Sequence, residues 1–450
     1  MTDSVSRKNK MGIMPVGKLL ARMAVPMMIS MLFQAFYNVV DSIFVSQLSE
    51  NALTAVSIAF PLQNLMIAFG AGSAVGMNAL LSRSLGEKNQ IAADEAANTG
   101  IFIAICNTLL FVIVGIFVAR PFFMIQSETR EILDYGISYS MICLIGSAGI
   151  FFQFCFERLL QSTGRTSYAM ISQIVGAITN IILDPIFIFV LNFEVAGAAI
   201  ATIIGQFVAA ITALIFNLKL NPDIHINLKQ IRPNPRSFKE IYRIGFPSII
   251  MQSIGSIMTF GMNTILGTFT ETAKAVFGAY FKLQSFIFMP VFGLNNAMIP
   301  IISYNFGAKK IDRVKKTIKL SITVAVTIML IGVALFELIP HVLLSLFNAS
   351  EEMMNIGIVA LRIIGTHYLL AGFCIIAGSV CQAIGNPLYS LIVSVCRQLV
   401  VLLPAAWVLS RFRILDLVWL AFPIAEVASL ILSSVFLMKT LKRAVKISAT

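Results

Sequence analysis

Hydrophobic positions along the 450-residue chain fall in long blocks, divided by short stretches where Gly, Pro, Asn and charged residues gather. Twelve blocks are readable, at approximately 19–46, 54–81, 94–119, 134–157, 167–191, 194–217, 241–267, 276–302, 317–339, 355–381, 387–410 and 414–438. An α-helix rises about 1.5 Å per residue, so about 20 apolar residues cross a hydrocarbon core about 30 Å thick. Every block meets that length. The pattern predicts an all-α integral membrane protein with twelve transmembrane helices.

The polar breaks carry a second pattern. Residues in the second half repeat those of the first at one offset of 221 with no gap: Arg22 and Pro26 recur as Arg243 and Pro247, and Phe60, Leu62 and Gln63 as Phe281, Leu283 and Gln284. Gly86 and Lys88 return as Gly307 and Lys309, Gly136 as Gly357, and Gln161, Gly164 and Tyr168 as Gln382, Gly385 and Tyr389. Shared apolar composition does not preserve Pro, Gly and Gln landmarks through every loop of six helices, so the chain is read as a duplication. An even number of crossings returns each half to the side where it began, so the two six-helix bundles are expected to be parallel repeats. The expected layout is a tail at 1–18, bundles at 19–217 and 241–438, a linker at 218–240 containing Pro222, Pro233 and Pro235, and a tail at 439–450. Parallel repeats about a central cavity are a secondary-transporter arrangement.

Charge sets the orientation. Of 33 Lys and Arg residues, 25 fall on the side of the termini, counting Arg22, Arg243 and Lys319 at the inner ends of their blocks; five lie in the alternate loops and three deeper inside blocks, namely Lys282, Arg362 and Arg397. Basic residues accumulate in cytoplasmic loops, so both termini are expected to be cytoplasmic. The net charge of +12 then follows from topology. Spread over alternate loops, it gives no reason to expect nucleic acid as a partner.

Composition agrees, with 58% hydrophobic and 12% charged residues and a mean hydropathy of +0.88. A soluble domain carries about twice that charged fraction. The basic first 18 residues show no apolar run with a cleavage site, so no cleavable signal is expected. The six cysteines all fall inside blocks without metal-ligand spacing and are read as small core hydrophobes. His225, His341 and His367 have no ligand company either, and His367 is read as a packed, hydrogen-bonded residue. No Ser/His or His/Asp constellation suggests an enzyme, and no cofactor is expected. Gly70, Gly72 and Gly76 are read as helix-packing positions, and Glu157-Arg158 as a solvated pair at the end of the fourth block.

Acids inside the blocks need an explanation, because a carboxylate in lipid is costly unless it faces protein or a watery cavity and has a partner. Tyr37, Asn38 and Asp41 share one helix face near the outer end of the first block, and Asn180 and Asp184 share one in the fifth, next to Pro185. Counting about 1.5 Å per residue places Asp41, Tyr139, Asp184 and Thr202 within roughly 5 Å of one another in depth. Apart from Arg22, at the inner end of the first block, no Lys or Arg occurs in the blocks of the first half, so a proton or a metal cation must supply the compensating charge. The alternative reading is two buried acids hydrogen-bonded for packing. The second half has Met262 and Ala405 where the first has Asp41 and Asp184, so no second acid pair is expected. Arg397 and Glu426 are expected to pair within the membrane. Lys282 and Arg362 are expected near the outer surface, snorkelling to it; if they instead face the central cavity, anionic substrates come into view.

The segment Ala24-Val25-Pro26-Met27-Met28, the Asp41 face, Arg83-Ser84-Leu85-Gly86-Glu87-Lys88 with its echo Asn305-Phe306-Gly307-Ala308-Lys309, Gln161-Ser162-Thr163-Gly164-Arg165 with Gln382-Ala383-Ile384-Gly385-Asn386, and Asn180-Ile181-Ile182-Leu183-Asp184-Pro185 together resemble the multidrug and toxic compound extrusion (MATE) family, closest to its DinF-like prokaryotic type. The resemblance covers nearly the whole chain. It implies an antiporter that expels organic, often cationic, compounds in exchange for H+ or Na+. It also implies a cation site at Asp41, Asn180, Asp184, Ala198 and Thr202, within a polar network of Tyr37, Asn38 and Tyr139. Ala198 would offer its backbone carbonyl. A Na+ ion held by Asp41, Asn180, Asp184 and Thr202 is one form of the site, and a proton is the other. Phe36, Phe60, Phe154, Met258 and Phe281 are candidates to line a greasy substrate cavity. Small organic substrates and membrane lipid are the expected partners of a monomer. A lipid or lipid-linked oligosaccharide flippase of related fold is the alternative.

Overall fold

The computed structural model describes residues 9–126, 129–226, 234–347 and 349–449. Residues 1–8 of the expected N-terminal tail and 227–233 of the expected linker lie outside them. The first half runs α1 (Lys10–Ile13), α2 (Val16–Ser46), α3 (Glu50–Gly86), α4 (Gln90–Phe117), α5 (Ala119–Gln126), α6 (Arg130–Ile145), α7 (Ala148–Ser162), α8 (Thr166–Pro185) and α9 (Glu194–Leu220). The second runs α10 (Pro235–Leu266), α11 (Glu271–Gly307), α12 (Ile311–Leu338), α13 (Pro340–Ser345), α14 (Glu351–Gly365), α15 (Tyr368–Ala383), α16 (Pro387–Val395), α17 (Leu403–Ser410), α18 (Leu415–Trp419) and α19 (Ala421–Ala449). Ten spans are single apolar stretches, and two more are broken pairs, α6 with α7 bent by 43° and α14 with α15 bent by 48°. The break after α6 falls at Gly146, whose backbone N–H turns back to Ile142 and Leu144. The fifth span carries a π-helical stretch, Ile186–Val190, straight after Pro185, where the missing proline N–H interrupts the regular ladder.

The 221-residue offset holds in three dimensions. α3 and α4 begin and end 221 residues before α11 and α12. Ser49 caps α3 by accepting from the Ala52 N–H at 3.0 Å, and Thr270 caps α11 by accepting from Ala273 at 3.0 Å. Left-handed backbone recurs at Lys88 and Lys309, at Asn192 and Arg413, and at Gly164 and Gly385. Ser82 donates to the Ser162 carbonyl at 3.2 Å, and Ser303 to that of Ala383 at 2.9 Å. Turns, caps and cross-helix hydrogen bonds are thus duplicated with the apolar blocks.

Each bundle lends its second helix to the first helix of the other, α3 against α10 and α11 against α2. Small residues allow this approach. A Cβ on Gly76 would stand 2.1 Å from the Ile241 carbonyl oxygen, and one on Gly293 2.6 Å from the Met28 Cα. At the face that carries both termini the two lobes close on each other reciprocally: Gly86 abuts the carbonyl of Tyr304, and Gly307 that of Arg83. The N-terminal strap reinforces the seam, since Arg313 donates to the carbonyls of Met11 and Met14 at 2.9 and 2.7 Å, and Lys310 to that of Gly12 at 2.7 Å. Asn64 and Ser256 bond across the lobes at 2.8 Å.

In the second lobe Arg397 and Glu426 lie 3.2 Å apart, with Glu426 2% exposed. Removing one member of such a pair strands the other charge. Arg397→Ala is therefore expected to cost up to about 3 kcal/mol, and Arg397→Leu with Glu426→Leu distinctly less, as read by thermal unfolding of the detergent-purified protein. His367 is buried and hydrogen-bonded to the Ile364 carbonyl, and all six cysteines are free thiols.

Candidate functional site: an acid pair in the cavity of the first lobe

The site begins with a close helix crossing. A Cβ on Gly176 of α8 would lie 2.7 Å from the Gly205 carbonyl oxygen of α9, and one on Gly205 2.8 Å from that of Gly176. With the backbones in contact, the next turn brings Asn180 Nδ2 to 3.3 Å from Thr202 Oγ1 and 3.3 Å from Asp184 Oδ1. Gly205→Val is expected to push these helices apart and, at the usual cost of overpacking, to lower stability by about 1–3 kcal/mol, measured as a shift of the thermal transition.

From α2, Asp41 enters the same place. Its carboxyl group lies within hydrogen-bonding reach of that of Asp184, and the phenol of Tyr37 sits beside both. Asp184 is fully buried. Asp41 Oδ1, Asp184 Oδ2 and Asn180 Oδ1 are buried oxygens without a hydrogen-bond partner. Two carboxylates this close require a positive charge between them, and three unpartnered oxygens are suited to receive it. Among the described residues the ion pairs lie elsewhere, as at Arg165–Asp223 and Arg397–Glu426.

Beside the acid pair opens a cavity of about 560 Å³ walled by residues of the first lobe, among them Tyr37, Asn38, Asp41, Tyr139, Asn180 and Thr202. Its size falls within the range of small-molecule sites, about 300–1,000 Å³. Ala198 stands apart from these walls, fully buried in a small core with Tyr139 and Cys143. Phe60 and Phe154 line the cavity, whereas Phe36, Met258 and Phe281 do not. Phe36 is exposed on α2, Met258 is buried in the main core, and Phe281 packs edge-on against Phe277 in the second lobe. These three come from helix faces that the apolar pattern alone does not assign to one lobe's interior. Lys282 is exposed, Arg362 stands 3.9 Å from Glu337, and neither they nor Arg397 borders the cavity.

Two features escape the sequence reading. Gln63 donates to the Tyr139 hydroxyl at 3.1 Å and so ties α3 to the site; its recurrence as Gln284 was the available signal. Glu157 and Arg158, expected to be solvated, are buried at 1% and 7% exposure, because α7 continues to Ser162 and packs against α3, α8 and α9. Gln153, one helical turn before Glu157, marks the same polar face.

A family model described as MatE matches this chain over residues 26–186 and again over 247–408, two stretches whose starts are separated by the internal repeat. The chain belongs to the MatE family. The multidrug export protein MepA of Staphylococcus haemolyticus is 26% identical over 404 residues, 89% of each chain. A structure titled as the outward-facing conformation of a multidrug resistance MATE family transporter of the MOP superfamily superposes with a TM-score of 0.93 at 26% identity, covering 99% of this chain and 100% of that one. A MOP superfamily transporter from Pyrococcus furiosus, described as having a binding pocket of reverse polarity that suggests a different function, superposes with a TM-score of 0.89 at 26% identity over 98% and 99% of the two chains. As a MatE protein, this chain is a transporter with two repeats.

Proposed function

We propose that this MatE protein is a multidrug exporter of the prokaryotic cytoplasmic membrane, exchanging organic cations for H+ or Na+ at the acid pair. The observation that carries the reading is the pairing of Asp41 with Asp184 beside a cavity that has no Lys or Arg in its walls. A cation arriving from outside neutralises the pair, and an organic cation loses its electrostatic hold and leaves. When the cation departs to the cytoplasm, the pocket regains its negative charge and accepts substrate. The closed seam at the termini face suits the outward-open half of that cycle, with both termini cytoplasmic and a monomer as the working unit.

The acidic cavity, with no Lys or Arg in its walls, does not favour the alternative, a flippase for anionic lipid carriers, whose headgroups call for Lys or Arg. The test is ethidium efflux from proteoliposomes with proton and sodium gradients imposed separately. Export driven by one gradient and absent without either is the expected result. Transport of labelled lipid with no gradient-driven ethidium export would overturn it.

A further inference from the structure

The cavity wall holds a polar track that leads away from the acid pair. On α2 it consists of Ser30, Gln34, Tyr37 and Asp41, spaced by four, three and four residues and therefore on one helix stripe, all of them lining the cavity. On α8, Gln173 and Asn180 line it as well. The eleven residue steps from Ser30 to Asp41 span roughly 16 Å along the helix.

At the inner end stands a third carboxylate. The Ser30 hydroxyl donates to Gln173 Oε1, Gln173 Nε2 donates to Glu157 Oε2 at 2.6 Å, and Gln153 Nε2 donates to Glu157 Oε1 at 3.0 Å. Glu157 lies just behind the wall that Gln153 and Gln173 form. The charged group facing it is Arg158 on its own helix, while α8 presents the uncharged Ser172 and Gln173. Yet Arg158 is turned away, donating to Gln161 at 2.7 Å and, across the lobe seam, to Asn296 of α11 at 2.9 Å. Glu157 accepts from N–H donors on both oxygens, which suits a carboxylate and leaves no oxygen shell for a metal ion.

We propose that Glu157 is an inner station for the coupling proton, receiving it from the Asp41–Asp184 pair and releasing it at the termini face. The idea rests on the antiport reading above. An O–H bond breaks at the aspartate pair, the proton crosses the cavity through water, and an O–H bond forms on Glu157. When the lobes part at the termini face, the Arg158–Asn296 bond breaks. The freed guanidinium then favours ionised Glu157, and the proton passes to bulk water.

The test uses the full-length protein in liposomes, with ethidium binding, ethidium export driven by an imposed pH gradient, and the pH profile of that export. Glu157→Gln is expected to keep the ethidium Kd within about twofold, lose at least about tenfold of gradient-driven export, and flatten the pH profile; Glu157→Asp is expected to restore most of the rate. The inference is overturned if Glu157→Gln exports normally, if it loses ethidium binding together with export, or if a sodium gradient drives export and a proton gradient does not. Asp41→Asn separates the two ideas: its loss of drive beside a normal Glu157→Gln removes the inner station and leaves the antiport reading standing.

Discussion

Asp184→Asn is expected to all but abolish gradient-driven export while leaving the protein inserted and folded. Asp184 is fully buried and faces Asp41, and under the proposed function the two hold one cation between them. Truncating one partner of a buried charge pair costs about 2–5 kcal/mol, a factor of roughly 30 to 4,000 in cation occupancy. Asp41→Asn acts on the same cation and is expected to have a similar effect. The double variant should then be little worse than either single one, because groups that bind one ion together are not additive. The measurement is ethidium efflux from proteoliposomes of equal protein content. A normal rate in correctly inserted Asp184→Asn protein would leave the acid pair with a packing role alone.

That acid pair was legible because lipid makes charge expensive: two aspartates in blocks whose one basic residue, Arg22, sits at the far end of the first are conspicuous, and counting residues from the block ends put them at one depth. The duplication was legible for a different reason. Gly, Pro and capping residues are tied to backbone conformations, so Lys88 and Lys309, or Gly164 and Gly385, mark the same turn twice. Glu157 was misread because an acid near the end of an apolar block looks like a helix terminus. Its burial comes from α8 and the neighbouring helices, which the local sequence does not display. Met258 and Phe281 were misplaced for a related reason, since an apolar side chain is equally at home against lipid, core or cavity, and lobe geometry decides among them. Ala198 had no side-chain chemistry to read, and its place behind Tyr139 follows from packing.

Closure at the termini face offers an equally large effect from residues with no chemistry at all. A Cβ on Gly86 would come within 2.0 Å of the Tyr304 carbonyl oxygen, and one on Gly307 within 2.3 Å of that of Arg83. The obstructing atoms are backbone, which cannot swing aside as a long side chain does. Gly86→Val or Gly307→Val is therefore expected to destabilise the closed seam by at least the usual overpacking cost, about 1–3 kcal/mol, shifting the balance toward a state open at the termini face by about 5- to 150-fold. The pseudo-twofold relation between the two contacts predicts that the two substitutions behave alike. Gly278→Ala, on α11 with nothing within 4 Å of the added carbon, is the control that should change nothing. Spin labels on Cys introduced at Ile91 and Asp312, exposed positions on α4 and α12 related by the repeat, would report the separation of the lobes directly. Longer distances with reduced export are expected for the two valine variants. An unchanged distance distribution would mean that the glycine contacts do not govern closure, and the alternation of access would then have to be sought in the bent spans, α6 with α7 and α14 with α15.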